Sequence, residues 1–327
     1  MSIFNTGVNP LRKMGRVVPI FITITNDYAP YAAAAIHSLT HYTNPNRYYR
    51  VIILYDKMTF KNRVRLRALA TRNCAIQFHK MKYNVYMRAI VKYCASWTGS
   101  GDFFSSAVYY YRHFIARLFL QYEKAIYIDS DVILRTDIGE LFDIDLGDNV
   151  IAAMVDPKVE VVPEFREYVE NALGVPHKEY VNSGVLLMDL KKLRKCKFIA
   201  TMIDIINEYN ADLVAPDQDY LNVILKGKIM HLPAEWNQQP MKDLPKDTKL
   251  LHYNLTEKPW YYDDVPQGEL FWDNVKGTGF YGDLMRAKEN FTIQDARMDK
   301  LKIESLVKKA GELAKAKKPV MKLVKKK

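Results

Sequence analysis

Apolar runs with β-branched cores alternate along this chain with segments of helical periodicity, and that alternation limits the fold more than any other feature. The runs fall at 17–25 (VVPIFITIT), 49–56 (YRVIILYD), 75–81 (AIQFHKM), 124–134 (KAIYIDSDVIL), 150–156 (VIAAMVD) and 183–190 (SGVLLMDL). Helical patterns follow the first two (YAAAAIHSLTHYT, FKNRVRLRALATRN), and another, SAVYYYRHFIARLFLQ, precedes the fourth. Such a pattern predicts an α/β fold around a mostly parallel sheet. Sheets of that kind bind ligands at the carboxyl ends of their strands. With 327 residues, 49% of them hydrophobic, the chain can bury a substantial core as one large domain or two modest ones. No internal repeat is visible.

Composition removes several function classes. Cys74, Cys94 and Cys196 are odd in number, far apart and never C-x-x-C, which speaks against a disulfide framework or a zinc site and for a reducing compartment. No apolar stretch reaches the length of a membrane-spanning helix. The first run follows Arg12, Lys13 and Arg16 and precedes YAAAA, a loose imitation of an export signal. Its β-branched residues, Pro19 and the closing Asn26–Asp27 read better as a first core strand. The formal charge of +11 is concentrated at one end: eleven lysines against Glu304 and Glu312 place nine of those charges in residues 300–327. The body is nearly neutral, so the chain divides into an N-terminal extension (1–16), a globular body (17–298) and a basic amphipathic tail (299–327). The tail lacks arginine and interleaved aromatics, and no nucleic-acid partner is expected. Residues 94–104 (CASWTGSGDFF) read as a mobile loop, and the Pro-, Trp- and Tyr-rich stretch after about residue 230 as a closing flap anchored by aromatics.

The fourth run ends in Asp129-Ser130-Asp131. Carboxylates at i and i+2 of a strand share a face, and beyond the last ladder bond they can converge on one hard cation. An isolated D-x-D is more often a solvated strand-to-turn junction. Here the preceding strand is apolar on both faces, hence central, and its tip is where an α/β protein keeps its chemistry. Phosphatases of the haloacid-dehalogenase type also place D-x-D after an apolar strand, but on the first strand, and Asp263–Asp264 would be the later metal motif of that alternative.

Further motifs surround the pair: YYYRHFIARL before it, then VNSGVLLMDL, PDQDYLN and LLHYNLTEKPW. Their order and spacing resemble glycosyltransferase family 8, over about residues 17–262. The resemblance implies a Rossmann-like nucleotide-sugar-binding domain of the GT-A type and a retaining, metal-dependent transfer from a UDP-sugar. Carried over, Asp129, Asp131 and His252 hold the cation, manganese with magnesium as the alternative, since an imidazole added to carboxylates shifts preference that way. Alone, His252 would pass for an ordinary buried histidine. Lys258 would reach the diphosphate as a point charge. The family commonly has glycine three residues after this histidine, and this chain has Leu255. Thr23, Thr25, Asp27 and Tyr28 take the uridine places, with Tyr28 stacking on uracil or serving as a packing residue. Ser130, Ser183 and Gly184 belong with the donor-binding set.

For the chemistry, the resemblance points to Asp156 and Asn182 at the donor sugar, to Asp217 and Gln218 beneath the anomeric carbon, and to Arg112. Arg112 reads equally well as a helix-face salt bridge. The segment APDQDYLN is also an ordinary helix start, with Pro216 and acids in its first turn. An amide is a poor nucleophile, so front-face attack is favoured over double displacement. The tail places Leu301, Ile303, Leu306, Val307 and Leu313 on one face opposite lysines, the composition of a helix lying on an anionic membrane, or of a solvated tail or a tag. The reading is a hexosyltransferase, galactose or glucose, peripheral on the cytoplasmic face of a bacterial membrane, acting on a surface glycan or glycolipid. The alternatives are a D-x-D phosphatase and a non-catalytic membrane-surface scaffold.

Overall fold

A computed structural model describes residues 17–82, 84–95, 106–210, 212–255 and 258–316. The N-terminal extension, all but the start of the loop expected at 94–104, and the chain beyond 316 lie outside the described residues. Strands β1 (Val17–Thr23), β2 (Tyr48–Tyr55), β3 (Cys74–Lys80), β4 (Lys124–Ile128), β6 (Ile151–Ala153), β7 (Val185–Asp189) and β8 (Ile229–His231) form one sheet in the order β3-β2-β1-β4-β7-β6-β8. Only β7 runs against the others. Strand β5 (Val132–Leu134) pairs with β9 (Leu250–His252) in a separate two-stranded sheet.

The parallel half is as the alternation predicts. Helices α1 (Ala29–His41), α2 (Phe60–Arg67), α3 (Val85–Ala95) and α4 (Tyr111–Leu118) lie between its strands. The four consecutive alanines of α1 are fully buried, Ala32, Ala33 and Ala35 in the core cluster of the sheet and Ala34 in a separate one, so small residues let the helix be enclosed closely on both sides. From β1 the chain builds outward through β2 to β3, then returns to place β4 on the other side of β1. That reversal opens a crevice between the ends of β1 and β4, the place where open α/β sheets take ligands. Thr23 ends β1, and Asp129 follows the end of β4.

The apolar run 124–134 is not one strand. It leaves the main sheet at Ile128, passes through Asp129-Ser130-Asp131 and enters the second sheet at Val132. Both halves are buried, in different sheets, so hydrophobicity alone does not show the break. Strands β8 and β9 are three residues each, too short to leave a periodic trace.

The expected flap is more ordered than its composition suggests. β9 and the helices Gly268–Lys276 and Tyr281–Glu289 build a third apolar layer. In it Trp260 stacks on Tyr31 of α1, ring centres 4.4 Å apart, with the tilted Phe271 ring 4.8 Å from it. The last helix, Ile293–Ala314, starts six residues before the expected tail boundary, at a capping box made by Thr292 and Asp295. It packs on Pro163–Glu167 and Tyr168–Ala172, burying Leu306 and Ala310, and Lys309 pairs with Asp212. Leu301 of the expected apolar face is left 54% exposed. Among the described residues no helix is long and apolar enough to cross a membrane.

Trp260→Ala removes the ring that stacks the third layer on α1. It is expected to lower unfolding free energy by about 3–5 kcal/mol in urea titrations. A loss below about 1 kcal/mol would show that this layer does not unfold with the sheet.

Candidate active site

The link between the two sheets carries both aspartates. The Asp129 amide donates to Gly184 O at 2.8 Å, and the Tyr253 amide donates to Asp131 O at 2.9 Å. Because Val132 pairs with His252 across β5 and β9, the histidine arrives beside the link. One ligand atom each from Asp129, Asp131 and His252 lie within 4.8 Å of one another. Burial opposes ionisation of Asp131, but the neighbouring Lys258 ammonium holds its carboxyl well below the usual carboxylate range.

The tautomer of His252 follows from a chain of hydrogen bonds. The Gly184 amide donates to Asn182 Oδ1 at 2.9 Å, which identifies that atom as the acceptor. Asn237 Nδ2 donates to the same oxygen at 2.9 Å, so Asn237 Oδ1 faces His252 Nδ1 at 2.8 Å. Nδ1 therefore carries the proton, and Nε2 presents its lone pair. Nε2 is buried and has no hydrogen-bond partner, at 3.2 Å from Asp131 Oδ1 and 3.9 Å from Asp129 Oδ2. Two carboxylates and an unpartnered imidazole nitrogen form a donor set that fits a divalent cation such as manganese. Gly184 is needed for this packing. A Cβ there would stand 2.3 Å from His252 Cε1 and 2.9 Å from Asp129 Oδ2.

Arg112 is the second organiser. Its buried guanidinium donates to Ser183 O at 2.6 Å, Ser183 Oγ at 2.9 Å and Asp129 Oδ1 at 3.0 Å. It also pairs with Asp217 at 3.5 Å and lies over the Tyr127 ring. The helix-face salt bridge left open for it is present, in buried form, with Asp129 and Asp217. Asp217 is pushed up to about 6 by burial, with Arg112 opposing and Asp129 reinforcing the rise. Burial, reinforced by Arg112, lowers His113 to about 3, and this neutral ring lies 3.0 Å from Asp217 O.

Pro216–Ile224 is a helix, as the acids and proline of its first turn suggest. Its start is locked by Asp219, which accepts from the Ala215 amide and from Tyr168 and Tyr180 hydroxyls at 2.6–2.9 Å. Gln218 is held at both ends: Oε1 accepts from the Ser183 amide at 2.9 Å, and Nε2 donates to Asp156 Oδ2 at 2.9 Å. Asn182 Nδ2 also donates to that carboxylate, at 3.2 Å.

One cavity of about 240 Å³ collects nearly all of the expected residues. Thr23, Thr25, Tyr28, Ser130 and Lys258 line it beside the aspartates, and Asp156, Asn182, Ser183, Gly184, Asp217 and Gln218 line it further along. His252 stands behind Gly184. Asp27 is exposed, bonded to Asn26, and is not part of the lining. Lys258 Nζ donates to Asp131 Oδ2 and to Tyr253 O. Leu255, also on the wall, has φ 62°, so the chain keeps the left-handed backbone that glycine would favour, at a strain of about 1 kcal/mol. Asp263, the phosphatase alternative's metal residue, is 84% exposed on its side chain and paired with Lys288.

Sequence reading missed Asn237, Tyr127 and Asp219. Tyr127 donates to Asp129 Oδ1 at 2.6 Å from inside β4, where it counts only as an apolar strand residue. Asn237 sits in irregular chain, and only its polarity within WNQQP marked it.

The family model for glycosyl transferase family 8 matches residues 19–264. The chain belongs to this family. It is 31% identical over 173 residues to the lipopolysaccharide 1,2-glucosyltransferase of Escherichia coli K12, covering 48% of this chain and 50% of that protein. It is 29% identical over 167 residues to the lipopolysaccharide glucosyltransferase WaaO of the same organism, covering 46% and 48%. The matched regions thus span about half the length of these curated relatives. The fold is that of the galactosyltransferase LgtC, solved with donor and acceptor sugar analogues: TM-score 0.66, 23% identity, 80% of this chain and 96% of that one. The bifunctional glycosyltransferase WbbM superposes with TM-score 0.69 at 23% identity, over 88% of this chain and 54% of that one.

Asn237→Ala is expected to weaken Mn²⁺ binding about 10–100-fold by freeing the His252 ring, read by Mn²⁺ titration with electron paramagnetic resonance. Gly184→Ala should weaken it at least as much. Unchanged affinity in Asn237→Ala would mean that the ring is oriented by something else.

Proposed function

We propose that this protein is a retaining hexosyltransferase that moves galactose or glucose from a UDP-sugar to a glycan or glycolipid of a bacterial surface polysaccharide. The observation that carries this reading is the unpartnered Nε2 of His252 beside Asp129 and Asp131, next to the polar wall of Asp156, Asn182 and Gln218. A manganese ion held by Asp129, Asp131 and His252 would supply Lewis-acid stabilisation of the departing diphosphate.

The chain's own residues account for the rest. Lys258 is already at Asp131 and gives the diphosphate a second positive charge by exchanging partners. Thr23, Thr25 and Tyr28 face the uridine, and the Asp156 carboxylate and Asn182 amide take hexose hydroxyls. Arg112 keeps Asp129 and Asp217 apart as charges by standing between them.

Front-face transfer suits the geometry better than double displacement. Both ends of the Gln218 amide are engaged, and Asp217 is buried against Arg112, so neither offers a free carboxylate as nucleophile. The acceptor oxygen bonds to the anomeric carbon on the face from which UDP leaves. The carbon–phosphate oxygen bond breaks, and the acceptor proton passes to the leaving phosphate oxygen. Peripheral attachment to the cytoplasmic face of the membrane belongs to the same proposal. With Leu306 and Ala310 buried, the exposed lysines of the last helix are what would meet anionic lipid.

Calorimetric titration of UDP is expected to show binding with Mn²⁺ that falls at least about tenfold without metal and is abolished in Asp131→Ala. Absence of UDP binding under every metal condition would end the transferase reading.

A further inference from the structure

The two carboxylate oxygens of Asp129 have different surroundings. Oδ1 accepts from the Tyr127 hydroxyl at 2.6 Å and from Arg112 Nη2 at 3.0 Å. Oδ2 is the oxygen nearer His252 Nε2, at 3.9 Å, and among the described residues it accepts no hydrogen bond. The two donors on Oδ1 come from different elements, the phenol from β4 and the guanidinium from α4, so the carboxyl group is held from two directions. The phenol is itself fixed. Tyr127 is fully buried, the Arg112 guanidinium lies 4.5 Å from its ring centre, and Thr23 Oγ1 stands 2.8 Å from its hydroxyl. A phenol carries one proton and a carboxylate none, so Tyr127 donates to Asp129 and accepts from Thr23.

The carboxyl torsion of an aspartate is broad and roughly two-fold, so an unheld Asp129 would turn either oxygen, or neither, towards a cation. Packing alone does not call for the hydroxyl, since a phenylalanine would fill the same buried place in β4. We propose, on the basis of the metal-assisted transferase reading above, that Tyr127 is a positioning residue for the cation. With Arg112 it reserves Oδ1 for the protein, so that Oδ2 alone is presented to the metal, and Thr23 carries the hold on to the end of β1. Both kinds of ligand then have a support of their own: Asn237 sets the His252 ring, and Tyr127 sets the Asp129 carboxyl. Holding the carboxyl before the cation arrives removes an ordering cost from binding, as outer supports of metal ligands do.

The test measures Mn²⁺ affinity of the full chain by electron paramagnetic resonance, without nucleotide. Tyr127→Phe, which keeps the ring and loses the hydroxyl, is expected to bind at least about tenfold more weakly. A role confined to Asp129 is told from a general loosening of the core by repeating the substitution in Asp129→Ala. There the hydroxyl has no carboxylate to act through, and Tyr127→Phe should change the already weaker affinity by less than about twofold. Should Tyr127→Phe fail to fold, Thr23→Val removes the donor that fixes the phenol and should weaken Mn²⁺ binding about threefold. Native affinity in whichever of these two variants folds, or an equal loss with and without the Asp129 carboxylate, overturns the proposal. Calorimetric titration of UDP into the native chain separates this from the parent reading: UDP that binds with Mn²⁺ while Tyr127→Phe keeps native Mn²⁺ affinity sinks the positioning role alone.

Discussion

Everything at the centre of this molecule depends on the antiparallel pairing of β5 with β9. Val132 opposite His252 is a register, and a one-residue slip would turn the imidazole to the other face. The pairing also holds the backbone of the aspartate link, because the Tyr253 amide closes on Asp131 O as the ladder ends. Two carboxylates from one end of the main sheet and a nitrogen from a different sheet meet only because six residues form this small second sheet.

Around that pairing the fold stabilises charges that would otherwise be expensive to bury. Arg112 is 4% exposed and carries donors to Ser183 and Asp129 with Asp217 nearby, so its charge is compensated on several sides. The polar network continues from Asn182 through Asn237 to His252 and from Gln218 to Asp156 with its hydrogen-bonding groups largely matched. A matched network of this kind is rigid, which suits the proposed task of holding a diphosphate and a hexose in fixed relation. The unmatched atom, His252 Nε2, is where a ligand would enter.

How much of this could be read without the fold differs from element to element. β1, β2 and β3 were legible to within a residue or two, since long apolar runs between amphipathic helices have no other use. The expected site residues carried their chemistry in short local motifs, and all but Asp27 and His252 line one cavity, with His252 directly behind it. The division of 124–134 into two strands was not legible, because burial in two sheets looks the same as burial in one. Nor was the docking of the last helix, whose lysines and leucines describe a membrane surface and a protein surface equally well. Leu306 and Ala310 differ from Leu301 only in what happens to lie opposite.

The sequence by itself determined the alternation, hence the parallel sheet, the crevice at its strand ends and the acidic pair delivered there. Those follow from local periodicity and strand polarity, which need no knowledge of partners. Tertiary structure alone decided which nitrogen of His252 is free, why residue 184 has no Cβ, and that Leu306 of the last helix reaches the cavity. Each of these is a relation between residues far apart in the chain, set by packing and hydrogen-bond direction, and no local pattern encodes it.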